Sequence, residues 1–299
     1  MSGYLSAQIA VLCINIVVAY SVFLPAASGQ LNLGAAGFMI IGGYTSAWLN
    51  SMDGLVMPMW FSVPAAAVAT GAVGFLIAFP ILRTRGVYMV LATFAFAEVV
   101  AGITLNLEFV GAAAGYPVDS HAGLEFLVPV TVGVVLFCVY LMSTRLGLAM
   151  RSIHDDENVA TLFGVNVRAS RVAAFAIGAA IGGLAGAMYG HEYNYIEVQN
   201  FNVLFSIFVL LYVLLGGTQT VLGPLVGALF FTAIPELLRY LADTTGWEFV
   251  GDSRFAVFGA LIVLMMTVRP EGVVTRTGLE RLAALLRPSR AGVAGEAAE

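Results

Sequence analysis

The chain has 299 residues, of which 60% are hydrophobic and 10% charged, and its net charge is −5. An ordinary soluble domain is nearer half apolar and about a quarter charged, so this composition excludes one and points to an all-α, polytopic membrane helix bundle in contact with lipid. The mild charge, with no basic cluster rich in aromatics, excludes a nucleic-acid binder.

The opening stretch "MSGYLSAQIAVLCINIVVAY" has no positive leading region, and its apolar run is too long for a signal peptide. It reads as the first span. A helix needs about 20 residues to cross about 30 Å of hydrocarbon. Nine segments meet this loosely: 5–24, 34–49, 59–82, 87–105, 126–142, 172–190, 203–215, 221–240 and 255–268. The second, seventh and ninth are short, so the bundle has about 8–10 transmembrane helices with room for broken ones. Cys13 and Cys138 lie inside apolar segments without neighbouring Cys or His, which indicates inert thiols and no metal site.

Alternating the connections between two sides sorts the charges. One side receives Arg83, Arg85, Arg145, Arg151, Arg168, Arg171, Arg269, Arg276, Arg281, Arg287 and Arg290, and the other only Arg239 and Arg254. Basic residues concentrate on the cytoplasmic side of membrane proteins. The expectation is an inner-membrane protein with a cytoplasmic C-terminus and, with nine spans, an external N-terminus. The outer loops then carry Glu108, Asp119, Glu125, Glu192, Glu197, Asp243, Glu248 and Asp252. They are either ordinary solvated loops or a surface that orients a complementary soluble protein.

Two glycine-rich interruptions, "ASGQLNLGAAG" and "LLGGTQTVLGP", set Gln30, Asn32, Thr218 and Gln219 beside apolar helices. They are either tight turns or broken helices that offer polar groups to a pathway. Glu98 lies mid-span, where an unpaired carboxylate costs on the order of several kcal/mol. It either joins two helices through hydrogen bonds or faces the pathway; Thr93, more than a turn away, is not a same-face partner. Gly178, Gly182, Gly186 and Gly190 recur every fourth residue, a stripe that permits close helix packing. Tyr44, Trp48 and Trp60 read as interfacial anchors.

The charged stretch "AMRSIHDDENVATLFGVNVRASR" occupies the longest loop on the arginine-rich side, 143–171. Asp155 is the expected N-cap of a short helix, with Asp156 and Glu157 in its first turn and Asn158 following. Val159, Leu162 and Phe163 form one apolar ridge, and Gly164 supplies the stop. Such a helix is marginal alone. It either rests on the membrane domain or docks into a groove on a cytoplasmic partner, with Arg151, His154 and the acids as a polar rim.

The motif "GLAMRSIHDDENVATLFGVNV" resembles the coupling loop of the branched-chain amino acid permeases of binding-protein-dependent ABC importers. "GQLNLGAAGFMIIGGYTSAW", "RTRGVYMVLATFAFAEVV", "FAIGAAIGGLAGAMYG", "LLYVLLGGTQTVLGPLVGA" and "VRPEGVV" resemble that family's segments in its order. The likeness, strongest to the LivM-type subunit, implies a permease domain over 1–274 and a cytoplasmic tail over 275–299, which starts with a short amphipathic segment. It implies no catalytic residue or cofactor in this chain. The partners would be a LivH-type sister, two ATPase subunits that bind ATP and Mg, and an extracytoplasmic binding protein. The absence of a GxxxxGK[ST] loop agrees with hydrolysis on another polypeptide. Two places depart from the family: His154 stands where a basic side chain is commoner, and "NLEFVGAAAGYPVDSHAG" lacks its usual threonine and paired glycines. A self-sufficient secondary transporter or channel, or an ABC permease for urea, amides or small organic acids, are the alternatives.

Overall fold

The computed structural model describes residues 2–51, 56–245, 254–268 and 272–274. Among them the chain forms eleven α-helices: α1 (Ser2–Ala26), α2 (Ala35–Asn50), α3 (Met59–Ile81), α4 (Val87–Leu105), α5 (Leu124–Ser143), α6 (Arg145–Asp155), α7 (Glu157–Leu162), α8 (Val167–Tyr193), α9 (Val203–Gly216), α10 (Gly223–Thr245) and α11 (Arg254–Val268). Each of the nine apolar segments contains a helix. Five of the helices, α1, α3, α4, α5 and α8, have the length and composition to cross a membrane by themselves. The architecture is a polytopic membrane helix bundle. Arg269, Arg276, Arg281, Arg287, Arg290, Glu248, Asp252 and the tail 275–299 lie outside the described residues.

The bundle is built around α1 and α8. The second half of α1 is apolar on almost all sides, and Val17, Val18, Tyr20, Val22, Phe23 and Leu24 have no exposed surface, as expected where a helix is enclosed by others. α8 packs against α1, α2 and α3, and its small residues let those backbones approach. A Cβ at Gly178 would collide with the Ser21 carbonyl and Pro25 of α1 and at Gly186 with the Met39 backbone, and at Gly182 it would sit tightly, 3.0 Å from Phe38 of α2. Gly183, outside the fourfold repeat, faces Thr70 of α3. At Gly190 a Cβ would make only ordinary contact with Val118, 3.6 Å away, so close packing does not extend to the stripe's last member.

The two ends of the bundle differ in construction. At one, the α3–α4 turn meets α7 through Arg85 and Glu157, the guanidinium of Arg168 lies 5.7 Å from the Phe79 ring centre, and Gly29 backs onto His154. At the other, a two-residue antiparallel ladder pairs β1 (Tyr116–Pro117) with β2 (Tyr195–Ile196), and Ser51 bonds Pro117. Gln8 of α1 bonds Glu236 of α10, and the Arg239 guanidinium covers the Tyr4 ring. The turns assigned to the arginine-rich side therefore share one end, and Arg239 lies with the chain's start, away from that end.

Candidate functional site

Among the described residues, polar groups interrupt the apolar bundle at the charged segment between α5 and α8, at the beginnings of α2 and α9, in a small cavity beside Gln30 and around His191.

The charged segment is two helices rather than one helix in a loop. α6 follows α5 directly and buries Gly147, Met150 and Ile153, leaving its charged side out. The repeat of Leu146, Met150 and Ile153 is the signal for it, hidden in the sequence by the surrounding charges. Asp155 ends α6, so the N-cap of α7 is Asp156 and not Asp155: its carboxylate accepts from Asn158 N at 2.8 Å and Val159 N at 3.1 Å. Asp155 and Asp156 are both exposed. Gly164 takes φ +79°, and Val165 N donates back to Ala160 O, so the helix stops where a left-handed residue is easiest to place.

α7 touches the bundle through Ala160, which is 2% exposed, rather than through its apolar ridge. Val159 is 46% exposed, Leu162 85% and Phe163 84%. The ridge therefore does not rest on this chain's membrane helices. Glu157 ties the helix down, with one carboxylate oxygen 3.0 Å from Arg171 and the other 3.7 Å from Arg85. Asn158 is exposed, while Arg151 and His154 are half-buried on α6, each with a buried ring or guanidinium nitrogen that has no hydrogen-bond partner among the described residues.

The interruption before α2 reaches into the bundle. From the turn at 27–29 the chain runs without regular structure until Leu33 N meets the Thr93 hydroxyl at 3.0 Å. Thr93 lies six residues into α4, about 9 Å along its axis. Asn32 Oδ1 accepts from Gly34 N at 2.7 Å, and Ala36 N donates to the Ser206 hydroxyl at 3.1 Å. Ser206 lies in the first turn of α9, whose N-cap Asn202 accepts from Phe205 N. α2 and α9 have only 16 and 14 residues, and they start side by side before running towards opposite ends. Helix starts carry partial positive charge and spare N–H groups. Asn32, Ser206, Asn202 and Thr93 satisfy some of these donors.

The other residues marked in the sequence are dispersed. Gln30 sits three residues short of that junction, at the arginine-rich end. Thr218 and exposed Gln219 lie in the short α9–α10 turn. That turn is held by Val273 N to Leu215 O at 2.7 Å, Val274 N to Gly216 O at 3.1 Å, and Thr220 Oγ1 to Val274 O at 3.0 Å. Glu98 joins no second helix: it is exposed, and among the described residues it has no hydrogen bond or ion pair. α4 buries Met89, Thr93, Ala97 and Thr104. Its opposite stripe, Leu91, Ala95, Glu98 and Gly102, is exposed at i, i+4, i+7 and i+11.

The remaining polar centre was not marked in the sequence. His191, fully buried near the end of α8, donates from Nδ1 to the Ser120 carbonyl at 3.0 Å, which leaves Nε2 to accept from the Ser46 hydroxyl at 2.8 Å. Asn50 Oδ1 accepts from Ser120 N at 3.1 Å. This network joins α2, α8 and the α4–α5 connection at the end opposite α7.

The model of a family described as "branched-chain amino acid transport system / permease component" matches residues 4–267. The chain is 30% identical over 286 residues to the high-affinity branched-chain amino acid transport system permease protein LivM of Escherichia coli, covering 84% of this chain and 65% of that protein. The LivM of Salmonella typhimurium gives the same figures. A probable LivH permease protein of Methanocaldococcus jannaschii is 24% identical, with 79% of each chain covered. The chain thus spans just under two thirds of the length of the two LivM proteins. No solved structure matches.

Proposed function

Because the chain belongs to the branched-chain amino acid transport permease family, we propose that it is a membrane subunit of a binding-protein-dependent ABC importer for branched-chain or related amino acids. A sister permease subunit pairs with it, two ATPase subunits drive it, and an extracytoplasmic protein delivers substrate. The arginine-rich end is cytoplasmic, in the inner membrane of a bacterial cell. Residues 1–274 form the permease domain, and the segment 143–171 receives force from the ATPases.

The observation that carries this reading is the outward position of Leu162 and Phe163 on a helix clamped at its other end by Glu157. Burying a Leu or Phe side chain contributes about 1.5–3 kcal/mol, so the pair favours a groove on a cytoplasmic partner. Closure of that partner would move α7, and α6 would transmit the motion to α5 and α8 as rigid elements. This chain's residues thereby position and move the pathway, while ATP chemistry belongs to the partners.

The junction of α2 and α9 supports a pathway in this chain. Two helix starts meet there, with Leu33 N and Ala36 N already held by the Thr93 and Ser206 hydroxyls, and the positive ends of the two helices favour a carboxylate. Glu98, on the exposed stripe of α4, is costly against lipid, so that stripe faces the sister subunit or a water-filled route between the two. A self-driven carrier would leave the exposed α7 ridge without a role. The deciding experiment is reconstitution: the chain in liposomes alone should move no leucine, and uptake should appear when the sister, ATPases, binding protein and ATP are supplied. Gradient-driven uptake by the chain alone would replace this reading with the carrier.

A further inference from the structure

A cavity of about 350 Å³ opens at the arginine-rich end, among the α1–α2 turn, the α3–α4 turn and the starts of α7 and α8. Its polar wall contains Gln30, Arg85, Glu157 and Arg171. Gln30 is 1% exposed, and both its amide oxygen and its amide nitrogen are buried with no hydrogen-bond partner among the described residues. Buried amides are almost always satisfied, so each exception calls for an explanation. Arg171 Nε is buried without a partner too, although the same guanidinium donates to Glu157 at 3.0 Å. Arg85 reaches Glu157 at 3.7 Å with a side chain that is otherwise 85% exposed.

Two guanidinium groups, one carboxylate and one primary amide make a mixed set. A phosphate would meet Glu157, and a simple amine would meet the two arginines. A zwitterion satisfies both, its carboxylate taking spare guanidinium N–H groups and its ammonium facing Glu157 and the Gln30 carbonyl oxygen. The rest of the lining, including Leu31, Leu82, Val87 and Met89, is largely aliphatic, and the volume is at the lower end of the range of about 300–1,000 Å³ for small-molecule sites.

We propose that this cavity binds a free aliphatic α-amino acid and that occupancy acts on α7 through Glu157. A ligand carboxylate competes for the arginines that hold Glu157, the first residue of α7, and so loosens the helix that the ATPases grip. Product accumulating on that side then slows its own import. This regulatory meaning rests on the transport reading and orientation proposed above; the binding site itself rests on the cavity.

The test is isothermal titration of the purified chain in lipid nanodiscs with leucine, with 4-methylpentanoate, which lacks the ammonium, and with 3-methylbutan-1-amine, which lacks the carboxylate. Saturable leucine binding is expected, with each analogue weaker by about tenfold or more. Gln30→Met should weaken leucine by a similar factor. So should Val87→Trp, which crowds the cavity from an exposed rim position without touching the buried amide. Absence of saturable binding, or binding that neither the variants nor the analogues alter, would overturn the proposal. Leucine uptake by the assembled transporter is measured in parallel. Uptake without binding at this cavity removes the inference alone, whereas binding without uptake keeps the site and removes the substrate reading.

Discussion

Glu98 and His191 represent opposite solutions to placing a titratable group in an oily fold. His191 is enclosed and satisfied by Ser46 and Ser120, and its removal leaves buried partners unmatched at about 1–3 kcal/mol each. His191→Ala should therefore lower the melting temperature in detergent, with a loss of about 2–3 kcal/mol. Glu98 is exposed and unsatisfied within the described residues, so its worth lies in what another chain or water supplies. On the proposed reading, Glu98→Ala leaves the melting temperature of the isolated subunit unchanged or higher but cuts uptake by the assembled transporter about tenfold or more. Normal uptake would mean that the stripe carrying Glu98 is not on the pathway. The sequence marks Glu98 because a carboxylate stands out among apolar neighbours. It gives no mark for His191, whose serine partners are 71 to 145 residues away and meet it only after folding.

Among the elements, α7 separates a helix's stability from its use. Its cap Asp156 and its clamp Glu157 hold it in place, while Leu162 and Phe163 remain largely exposed among the described residues. Leu162→Ser with Phe163→Ser should leave the isolated subunit's melting temperature intact and abolish substrate-stimulated ATP hydrolysis in the full assembly. Persistent stimulation would show that the ridge bears no force. Asp156→Ala, in contrast, should cost about 1 kcal/mol in local stability, read as faster amide exchange across α7. The ridge and its glycine stop are legible because they are local patterns. The cap is legible only to within one residue: the adjacent acids Asp155 and Asp156 are equivalent on paper until α6 claims the first of them as its last residue.

For the whole molecule, hydropathy is enough to place a helix in each of the nine apolar segments, since length and apolarity act segment by segment. The alternation of the connections is legible in part: Arg85, Glu157, Arg168 and Arg171, assigned to one side, do cluster at one end of the bundle. The meeting of α2 with α9 is not: Ala36 and Ser206 are 170 residues apart, and short apolar helices look alike wherever they start. A topology test follows from the buried state of Cys13 and Cys138, which leaves little background for thiol labelling. Leu162→Cys in intact cells should react only with membrane-permeant reagents, and Asp119→Cys with impermeant ones as well. The reverse pattern would invert the proposed orientation.

The short segment 272–274 forms three hydrogen bonds, with Leu215, Gly216 and Thr220, and so stitches a point beyond α11 to the turn between α9 and α10. Ending the polypeptide at residue 268 removes this seam and leaves the turn without those three bonds, whereas ending it at residue 275 keeps every stitch. A tag or fused protein attached past that point hangs from an anchored thread and does not tug on α11.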